Sequence, residues 1–197
     1  MKKHLPERPG IYPIILLLCT GLAALSLFKT DLSAETDSGE RYRMFDIMGV
    51  IKILPTDDPV VINLKDMNGN HVSLADFKGK IVVLNFWTTW CPTCRIEMPS
   101  MEKLHQKLKN KDFAMVTINL QESASRVKGF FKGLKLSFTA LLDTTGEVGA
   151  SFGIRAIPTT YILDKTGRII GQANGLREWD SKEAIAMFEN LIDNKMK

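Results

Sequence analysis

The chain has 197 residues, of which 45% are hydrophobic and 24% are charged, and its net charge at neutral pH is +4. These values are those of an ordinary globular protein and exclude a disordered, collagen-like or disulfide-rich chain. The small positive surplus does not indicate a nucleic-acid partner, since nucleic-acid-binding proteins concentrate basic charge in a patch or stripe. Three cysteines exclude a disulfide framework and a four-cysteine zinc site within one chain.

A long apolar run near the N-terminus predicts a membrane anchor. Residues 11–28 carry no charge, and a membrane-spanning helix needs about 20 predominantly apolar residues. Lys2, Lys3 and Arg8 precede the run, whereas acidic residues dominate the segment that follows it. Because basic residues stay on the cytoplasmic side, the pattern predicts a cytoplasmic N-terminus at 1–10, a transmembrane signal anchor at 11–28 and an extracytoplasmic remainder.

A cleaved signal peptide is the alternative interpretation of this run. Its apolar core would span about 7–15 residues and would end at a cleavage site made of small residues. The run 11–28 is longer, and Leu32-Ser33-Ala34 fits such a site poorly because Leu32 is not small. The sequence therefore favours an uncleaved anchor, which would hold the protein on the cytoplasmic membrane of a bacterium with its domain in the periplasm.

The segment 29–54 is predicted as a linker that leads into the folded domain at 55–197. Its first part is rich in acidic and small residues, which is typical of a spacer. Its second part has apolar residues with the spacing of a helix face, and Pro55 ends any such element. These apolar residues are Met44, Ile47, Met48 and Ile51.

Strand and helix patterns alternate through the domain, which predicts a mixed α/β sheet covered by helices. Two apolar runs around Asn68-Gly69 have the pattern of a hairpin. The predicted strands are 60–64, 71–74, 81–86, 113–120, 136–142, 159–163 and 168–172. Predicted helices begin near residue 91 and cover 127–134 and 147–152, and a last helix is capped by Asp180 or Ser181.

Two cysteines at the start of a predicted helix carry the chemistry. Cys91 and Cys94 are three residues apart, which places both side chains on one helix face and within disulfide range. The free N–H groups and the positive dipole end of a helix N-terminus favour a thiolate, which is the reactive form. Pro92 lies in the first turn, where its missing N–H costs nothing. We predict Cys91 as the exposed nucleophile and Cys94 as the deeper, resolving cysteine.

Two other kinds of site would use the same cysteines. A zinc site needs four ligands, or three and a water molecule, and His4, His71 and His105 form no paired ligand motif. We therefore predict no metal and no cofactor. Thr88-x-x-Cys91 superficially fits a peroxidase motif that also has a proline four residues before the threonine, but Leu84 stands there.

The region around the cysteine pair resembles the active site of thioredoxins. The matching residues are Phe86-Trp87-x-x-Trp90-Cys91-x-x-Cys94, with Pro99 five residues further on, and Ile157-Pro158 before a predicted strand. The resemblance implies a thioredoxin-like fold in which Ile157 and Pro158 form a cis-proline loop that faces the cysteines. Trp90, Pro92 and this loop would bind an extended substrate segment. Trp87 would pack in the core, and Pro99 would bend the helix.

Within that superfamily the chain resembles membrane-anchored reductases of the TlpA/ResA type, which are also DsbE/CcmG-like. The features that carry this resemblance are the anchor, the extra N-terminal hairpin, a helix and strand inserted around 127–142, and Glu97. The resemblance implies a redox-active Cys91–Cys94 disulfide that reduces protein disulfides, with a membrane thiol as the electron donor. The resemblance implies apocytochrome c as the substrate, and the cysteines of metal sites and general thiol repair are equally compatible with these residues. A periplasmic thiol oxidase, a peroxidase and a metal-binding chaperone are the alternatives.

Asn85 and Glu97 are where the chain departs from ordinary thioredoxin. Asn85 stands where thioredoxins have a buried aspartate that transfers protons, and an amide cannot titrate. Glu97 lies one turn beyond Cys94, where TlpA/ResA-like proteins carry an acidic residue. A partly buried glutamate has a raised pKa, which suits a proton carrier. The alternative is a solvated charge that pairs with Lys103.

Overall fold

The computed structural model describes residues 43–55 and 58–193. The predicted N-terminus at 1–10, the anchor at 11–28 and the first part of the linker lie outside the described residues. Within the described part of the chain, no helix combines the length and the apolar character needed to cross a membrane.

A mixed sheet of eight strands forms the centre of the domain. Its order is β1-β8-β7-β4-β5-β6-β2-β3. The strands are β1 (Ile51–Lys52), β2 (Asn63–Asp66), β3 (His71–Ser73), β4 (Ile81–Trp87), β5 (Phe113–Leu120), β6 (Thr139–Asp143), β7 (Thr159–Leu163) and β8 (Ile169–Asn174). Strands β4, β5 and β6 are parallel neighbours, whereas the other pairings are antiparallel. Every residue of β4 is buried, as expected for a continuous apolar run at the centre of a sheet.

Helices cover both faces of this sheet. They are α1 (Pro92–Leu108), α2 (Ala124–Leu134), α3 (Glu147–Ser151) and α4 (Lys182–Asp193), with a 3₁₀ turn at Leu74–Phe77. Apolar residues of α1, α2 and α4 form one core cluster together with Trp87 and Trp179. A second cluster on the opposite face includes Phe86, Tyr161 and Leu74. The predicted mixed sheet flanked by helices is confirmed, and so are the extra N-terminal hairpin and the inserted helix and strand.

Several element boundaries differ from the predicted ones because caps and turns use residues at the ends of the apolar runs. The strand expected at 136–142 begins only at Thr139. Lys135 ends α2 in the left-handed conformation, and the Leu136 N–H donates to the Phe131 carbonyl, so these residues complete the helix end. In the hairpin, the Val60 N–H bonds to the turn at Gly167, and the strand begins at Asn63.

The segment 43–54 packs into the domain, in a way that the spacing of its apolar residues did not predict. Phe45 and Val50 are buried, whereas Ile47 and Ile51 are 60% and 58% exposed. The chain is helical only over 43–47 and then turns at Gly49, whose φ of +61° suits glycine. Strand β1 follows and pairs with β8. Residues 43–54, which the sequence assigned to the linker, therefore pack with the domain predicted to begin at residue 55.

Candidate active site

The two cysteines lie at the N-terminus of α1, directly after the central strand β4. Cys91 is the N-cap residue, and its Sγ accepts a hydrogen bond from the Cys94 N–H at 3.1 Å. The two residues form a disulfide with their Cα atoms 5.3 Å apart, and Pro92 occupies the first helical position. The helix N-terminus thus presents a backbone N–H to the sulfur of Cys91, which favours its thiolate after reduction.

Cys91 is less exposed than the sequence predicted. Its exposed fraction is 3%, and that of Cys94 is zero, so the expectation of an exposed nucleophile is wrong for the disulfide form. The Ile157 carbonyl lies 3.9 Å from Cys91 Sγ, and the Thr93 hydroxyl lies 3.3 Å from it. These neighbours cover the sulfur, whereas the adjoining Trp90 is 65% exposed.

The loop before β7 faces the cysteine pair, as the resemblance implied. The Ile157–Pro158 peptide bond is cis. The Pro158 carbonyl accepts a hydrogen bond from the Gly175 N–H at 2.8 Å, and the Thr159 hydroxyl donates to the Ala156 carbonyl at 2.8 Å. Both bonds hold the loop beside Cys91.

An open groove runs beside this loop. Its volume is about 380 Å³. It is lined by Thr88, Trp90, Leu120, Gln121 and residues 154–157. Polar and apolar residues line the groove in similar measure, and its lining includes Ile157, whose carbonyl lies 3.9 Å from Cys91 Sγ.

Glu97 is fully buried one turn beyond Cys94. Its Oε1 accepts hydrogen bonds from the Arg177 N–H at 3.0 Å and from Trp179 Nε1 at 2.8 Å. Its Oε2 accepts one from Asn85 Nδ2 at 3.2 Å. Burial raises the pKa of Glu97 to about 7, against the opposing effect of these hydrogen bonds. Lys103 pairs with Asp180 instead, at 2.8 Å, so the alternative of a solvated Glu97–Lys103 pair is wrong.

Asn85 connects Glu97 to the neighbouring strand. Its side chain is fully buried, and Nδ2 also donates to Thr160 Oγ1 at 2.8 Å. Thr160 lies directly opposite Asn85 in the register of β4 and β7. Asn85 therefore contacts Glu97 directly. Glu97 is the residue predicted to take over proton transfer from the aspartate that thioredoxins have at the position of Asn85.

Three residues of this buried site were not predicted from the sequence. They are Thr160, Arg177 and Trp179, and each lies more than 60 residues along the chain from Glu97. The sequence carries no local motif that marks them, because only the folding of the chain brings them close to Glu97 near the N-terminus of α1.

The Arg177 guanidinium holds together the segments around Glu97. Its Nε and Nη2 atoms donate to the carbonyls of Met48 and Gly49, at 2.8 Å and 2.9 Å. Nη1 donates to the carbonyls of Asn174 and Leu176, at 3.0 Å and 2.8 Å. This side chain thus fixes the loop after β8, whose backbone N–H reaches Glu97.

A second buried carboxylate holds the loop before Cys91. Glu122 accepts hydrogen bonds from the Thr89 N–H at 2.7 Å, the Thr89 hydroxyl at 2.6 Å and Asn119 Nδ2 at 2.7 Å. Burial alone would raise the pKa of Glu122, but these hydrogen bonds and the charge of Arg126 outweigh it and lower the pKa. The ionised carboxylate therefore positions the backbone two residues before Cys91.

The remaining predicted site residues support the helix and the core. Trp87 is fully buried, with its ring centroid 4.8 Å from that of Phe130. Pro99 lies inside α1, where it cannot donate to the Arg95 carbonyl. Within the described residues, no group of three or more potential ligands could hold a metal ion.

Comparison with known proteins identifies the family. Residues 52–187 match the model of the Redoxin family. The chain belongs to the Redoxin family. This Redoxin-family chain is 33% identical over 162 residues to the thiol-disulfide oxidoreductase ResA of Bacillus cereus, with 82% of the chain and 85% of that relative covered.

Solved structures of the same kind share the fold. A putative thiol:disulfide interchange protein DsbE from Chlorobium tepidum has a TM-score of 0.61 at 28% identity, covering 69% of this chain and 99% of that one. A secreted thiol-disulfide isomerase from Corynebacterium glutamicum has a TM-score of 0.64 at 27% identity, covering 73% and 92%. Together with the Cys91–Cys94 pair, these similarities show that the Redoxin-family chain is a thiol–disulfide oxidoreductase with a thioredoxin-like fold.

Proposed function

We propose that this oxidoreductase reduces disulfides of protein substrates outside the cytoplasm. The observation that carries the proposal is the placement of Cys91 and Cys94 at the start of α1 with a buried carboxyl group behind them. The N-terminal sulfur accepts a backbone N–H, whereas Cys94 lies deeper in the core. This asymmetry supports Cys91 as the sulfur that attacks first.

The reaction consists of two exchanges. In the first, the Cys91 thiolate attacks one sulfur of the substrate disulfide, forms a mixed disulfide with it and releases the other substrate sulfur as a thiolate. In the second, the Cys94 thiolate attacks Cys91 Sγ, which forms the Cys91–Cys94 disulfide and releases the second substrate thiolate. The substrate gains two electrons, which the dithiol of the protein loses.

Glu97 is the group that takes the proton of Cys94 before the second exchange. A carboxyl group whose pKa is raised to about 7 by burial accepts and returns a proton near neutral pH. Glu97 lies one helical turn from Cys94, and both are fully buried. Since bulk water is excluded there, a resident proton acceptor is needed to form the thiolate.

The groove beside the cis-proline loop is the proposed substrate site. Trp90 and Pro92 are exposed on one side of Cys91, and the Ile157 carbonyl is close to its sulfur. An extended substrate segment that lies along Ile157 and Pro158 brings its disulfide to Cys91, in the manner of an added strand.

The proposed location is the outer face of the cytoplasmic membrane, with the anchor at 11–28 and the domain in the periplasm. The uncharged run and the basic residues before it support this placement, as does the similarity to an isomerase described as secreted. A dithiol carrier in the membrane supplies the electrons that restore the dithiol. The resemblance to the TlpA/ResA type favours the haem-binding cysteines of apocytochrome c or the cysteines of metal sites as substrates.

Trapping of the mixed disulfide tests the assigned roles. The reduced Cys94→Ser variant is incubated with the disulfide dimer of a fluorescent cysteine peptide. We expect it to bind one peptide covalently at Cys91 and release one peptide thiol, because the resolving sulfur is missing. Wild type should release two thiols and retain no label, and Cys91→Ser should stay unlabelled. Equal labelling of the two variants would contradict the assignment of the nucleophile.

The reduction potential of the Cys91–Cys94 pair tests the direction. Wild type is equilibrated in defined glutathione buffers, and the thiol content is read by the mass shift after alkylation. We expect a value near or below about −220 mV, which is the range of thioredoxins and glutaredoxins. A value near about −120 mV, as in a strong periplasmic oxidant, would replace the reductase with a thiol oxidase.

A further inference from the structure

The two polar atoms of the Asn85 side-chain amide differ in their hydrogen bonding. Its Nδ2 donates to both Glu97 Oε2 and Thr160 Oγ1. Its Oδ1 is buried and accepts no hydrogen bond within the described part of the chain. Because a buried polar atom without a partner is costly, such an arrangement calls for a physical reason.

The partners of Glu97 determine which of its oxygens can carry a proton. Oε1 accepts from the Arg177 N–H and from Trp179 Nε1, and both of these groups can only donate. A proton on Oε1 would point at two other donor groups and could not form a hydrogen bond with either of them. The proton of neutral Glu97 therefore belongs on Oε2, where Asn85 is the bonded neighbour.

A proton on Oε2 conflicts with the present orientation of the amide, since Oε2–H and Nδ2–H would both be donors. A half-turn of the amide about its terminal bond removes the conflict by exchanging Oδ1 and Nδ2. Oδ1 then accepts from Glu97 Oε2–H and from the Thr160 hydroxyl, which can donate as well as accept. Both orientations of the Asn85 amide make two hydrogen bonds. The amide atom that has no partner in one orientation makes the hydrogen bonds in the other.

We propose that Asn85 is a positioning residue whose amide reverses when Glu97 gains or loses its proton, so that the site holds both states of the carboxyl group. The inference rests on the proposed role of Glu97 as the proton acceptor of Cys94. When the proton passes from Cys94 Sγ to Glu97 Oε2, the reversed amide accepts the new O–H. When the proton leaves, the amide returns to donating.

The surroundings of Glu97 explain why a neutral amide suits this task. The charged group that acts on the carboxyl is Arg177, from the segment after β8, and on its own helix the redox-active Cys94 lies one turn away, in the disulfide. Strands β4 and β7 contribute the uncharged Asn85 and Thr160. An aspartate at position 85 would add a second carboxylate, and two adjacent carboxylates titrate as a coupled pair.

Nuclear magnetic resonance of the oxidised wild-type protein tests the reversal directly. The carboxyl carbon of Glu97 and the side-chain amide of Asn85 are followed from pH 5 to pH 9, with Glu97→Gln and Asn85→Leu used for assignment. We expect both signals to change with the same midpoint. The amide protons should show contacts to Thr160 at pH 9 and lose them at pH 5. Contacts that persist while Glu97 titrates would overturn the proposal.

A pair of matched variants supplies the second readout. Asn85→Asp should split the Glu97 titration into two steps, with the upper step raised by at least about one pH unit. Asn119→Asp is the control, because Asn119 is also buried, donates to a carboxylate through Nδ2 and has an unpaired Oδ1, but its partner is Glu122. It should leave the Glu97 midpoint unchanged. A single unshifted step in Asn85→Asp, or an equal shift in both variants, would contradict the inference.

The outcome separates this inference from the proposed function. In the oxidised protein Cys94 is in a disulfide and has no thiol proton to transfer, so the amide signal reports on Asn85 and Glu97 without the exchange reaction. If the amide follows Glu97 but reduced Glu97→Gln resolves mixed disulfides at the wild-type rate, the proton-acceptor role fails and the reversal stands as a property of the buried pair.

Discussion

Glu97 makes the stability of the protein depend on pH near neutrality. Burial raises its pKa from 4.5 to about 7, so the folded protein holds a proton that the unfolded chain releases. The stabilisation is complete below pH 4.5 and is lost as the pH rises through 7. We expect the free energy of unfolding of the oxidised protein to fall by about 3 kcal/mol over this window because of Glu97.

Urea unfolding of Glu97→Gln at several pH values checks this expectation. The variant should lack the loss of stability between pH 4.5 and pH 8, because its amide does not titrate. Glu122 does not interfere, since its pKa is lowered and its contribution changes below this window. The same slope in variant and wild type would show that Glu97 is not the responsible group.

Sequence reasoning at the scale of residues succeeded where the chemistry lies in a short motif. Cys91 and Cys94 are a local pattern that the helix start turns into a disulfide-forming pair. The sequence placed Glu97 on the same helix face as Cys94 and left a partly buried and a solvated carboxyl open, and the structure buries it fully. Arg177 and Trp179 were not predictable, because they reach Glu97 only through the path of the loop between β8 and α4.

At the scale of elements, the N-terminal segment and β8 pack closely at one glycine. A Cβ atom at Gly171 would lie 2.8 Å from both Phe45 Cε2 and Val50 Cγ1, which is too close for any unshifted contact. We expect Gly171→Ala to lower the free energy of unfolding by about 1–3 kcal/mol, as overpacking in a core does. Urea denaturation followed by tryptophan fluorescence measures the change.

Gly129 provides the matched control for this substitution. It lies in α2, and a Cβ atom there would meet no other atom within 4 Å. Gly129→Ala should therefore stabilise the helix by up to about 1 kcal/mol, because alanine favours a helix more than glycine does. Two substitutions of the same kind with effects of the same sign would contradict the close packing at Gly171.

The sequence predicted the type of each main element better than its ends. The hydrophobic periodicity marked the central strands and α2 correctly, because burial dictates these patterns. It failed in the segment 43–54, where a single helical turn, a glycine turn and a two-residue strand follow one another. No helical or strand periodicity continues through this segment, so the helix-like spacing of Ile47 and Ile51 did not predict that both side chains are exposed.

At the scale of the whole molecule, the N-terminal boundary of the domain has a measurable consequence. A chain that begins at Arg41 retains Phe45, Val50 and the carbonyls that Arg177 binds, whereas a chain that begins at residue 55 loses them. We expect the shorter chain to be less stable by at least about 3 kcal/mol, the usual cost of removing a buried phenylalanine. Urea midpoints of the two chains check this, and equal midpoints would contradict it.

A comparison of the full-length chain with the chain that begins at Arg41 tests the anchor. We expect the full-length chain to remain with the membrane after an alkaline wash, and the chain that begins at Arg41 to appear in the soluble fraction. Release of the full-length chain by the wash would contradict the anchor at 11–28. The cleaved form would then regain favour, since a signal peptide leaves the mature protein free.

The two outermost strands of the sheet are very short, with two residues in β1 and three in β3. Long free edges act as templates on which other extended chains add and aggregate, and short edge strands suppress this. An oxidoreductase that acts on protein disulfides meets extended segments of its substrates. Under the proposed function, extended substrate segments bind at the loop beside Cys91, and edge strands this short leave little free backbone on which such segments could add instead.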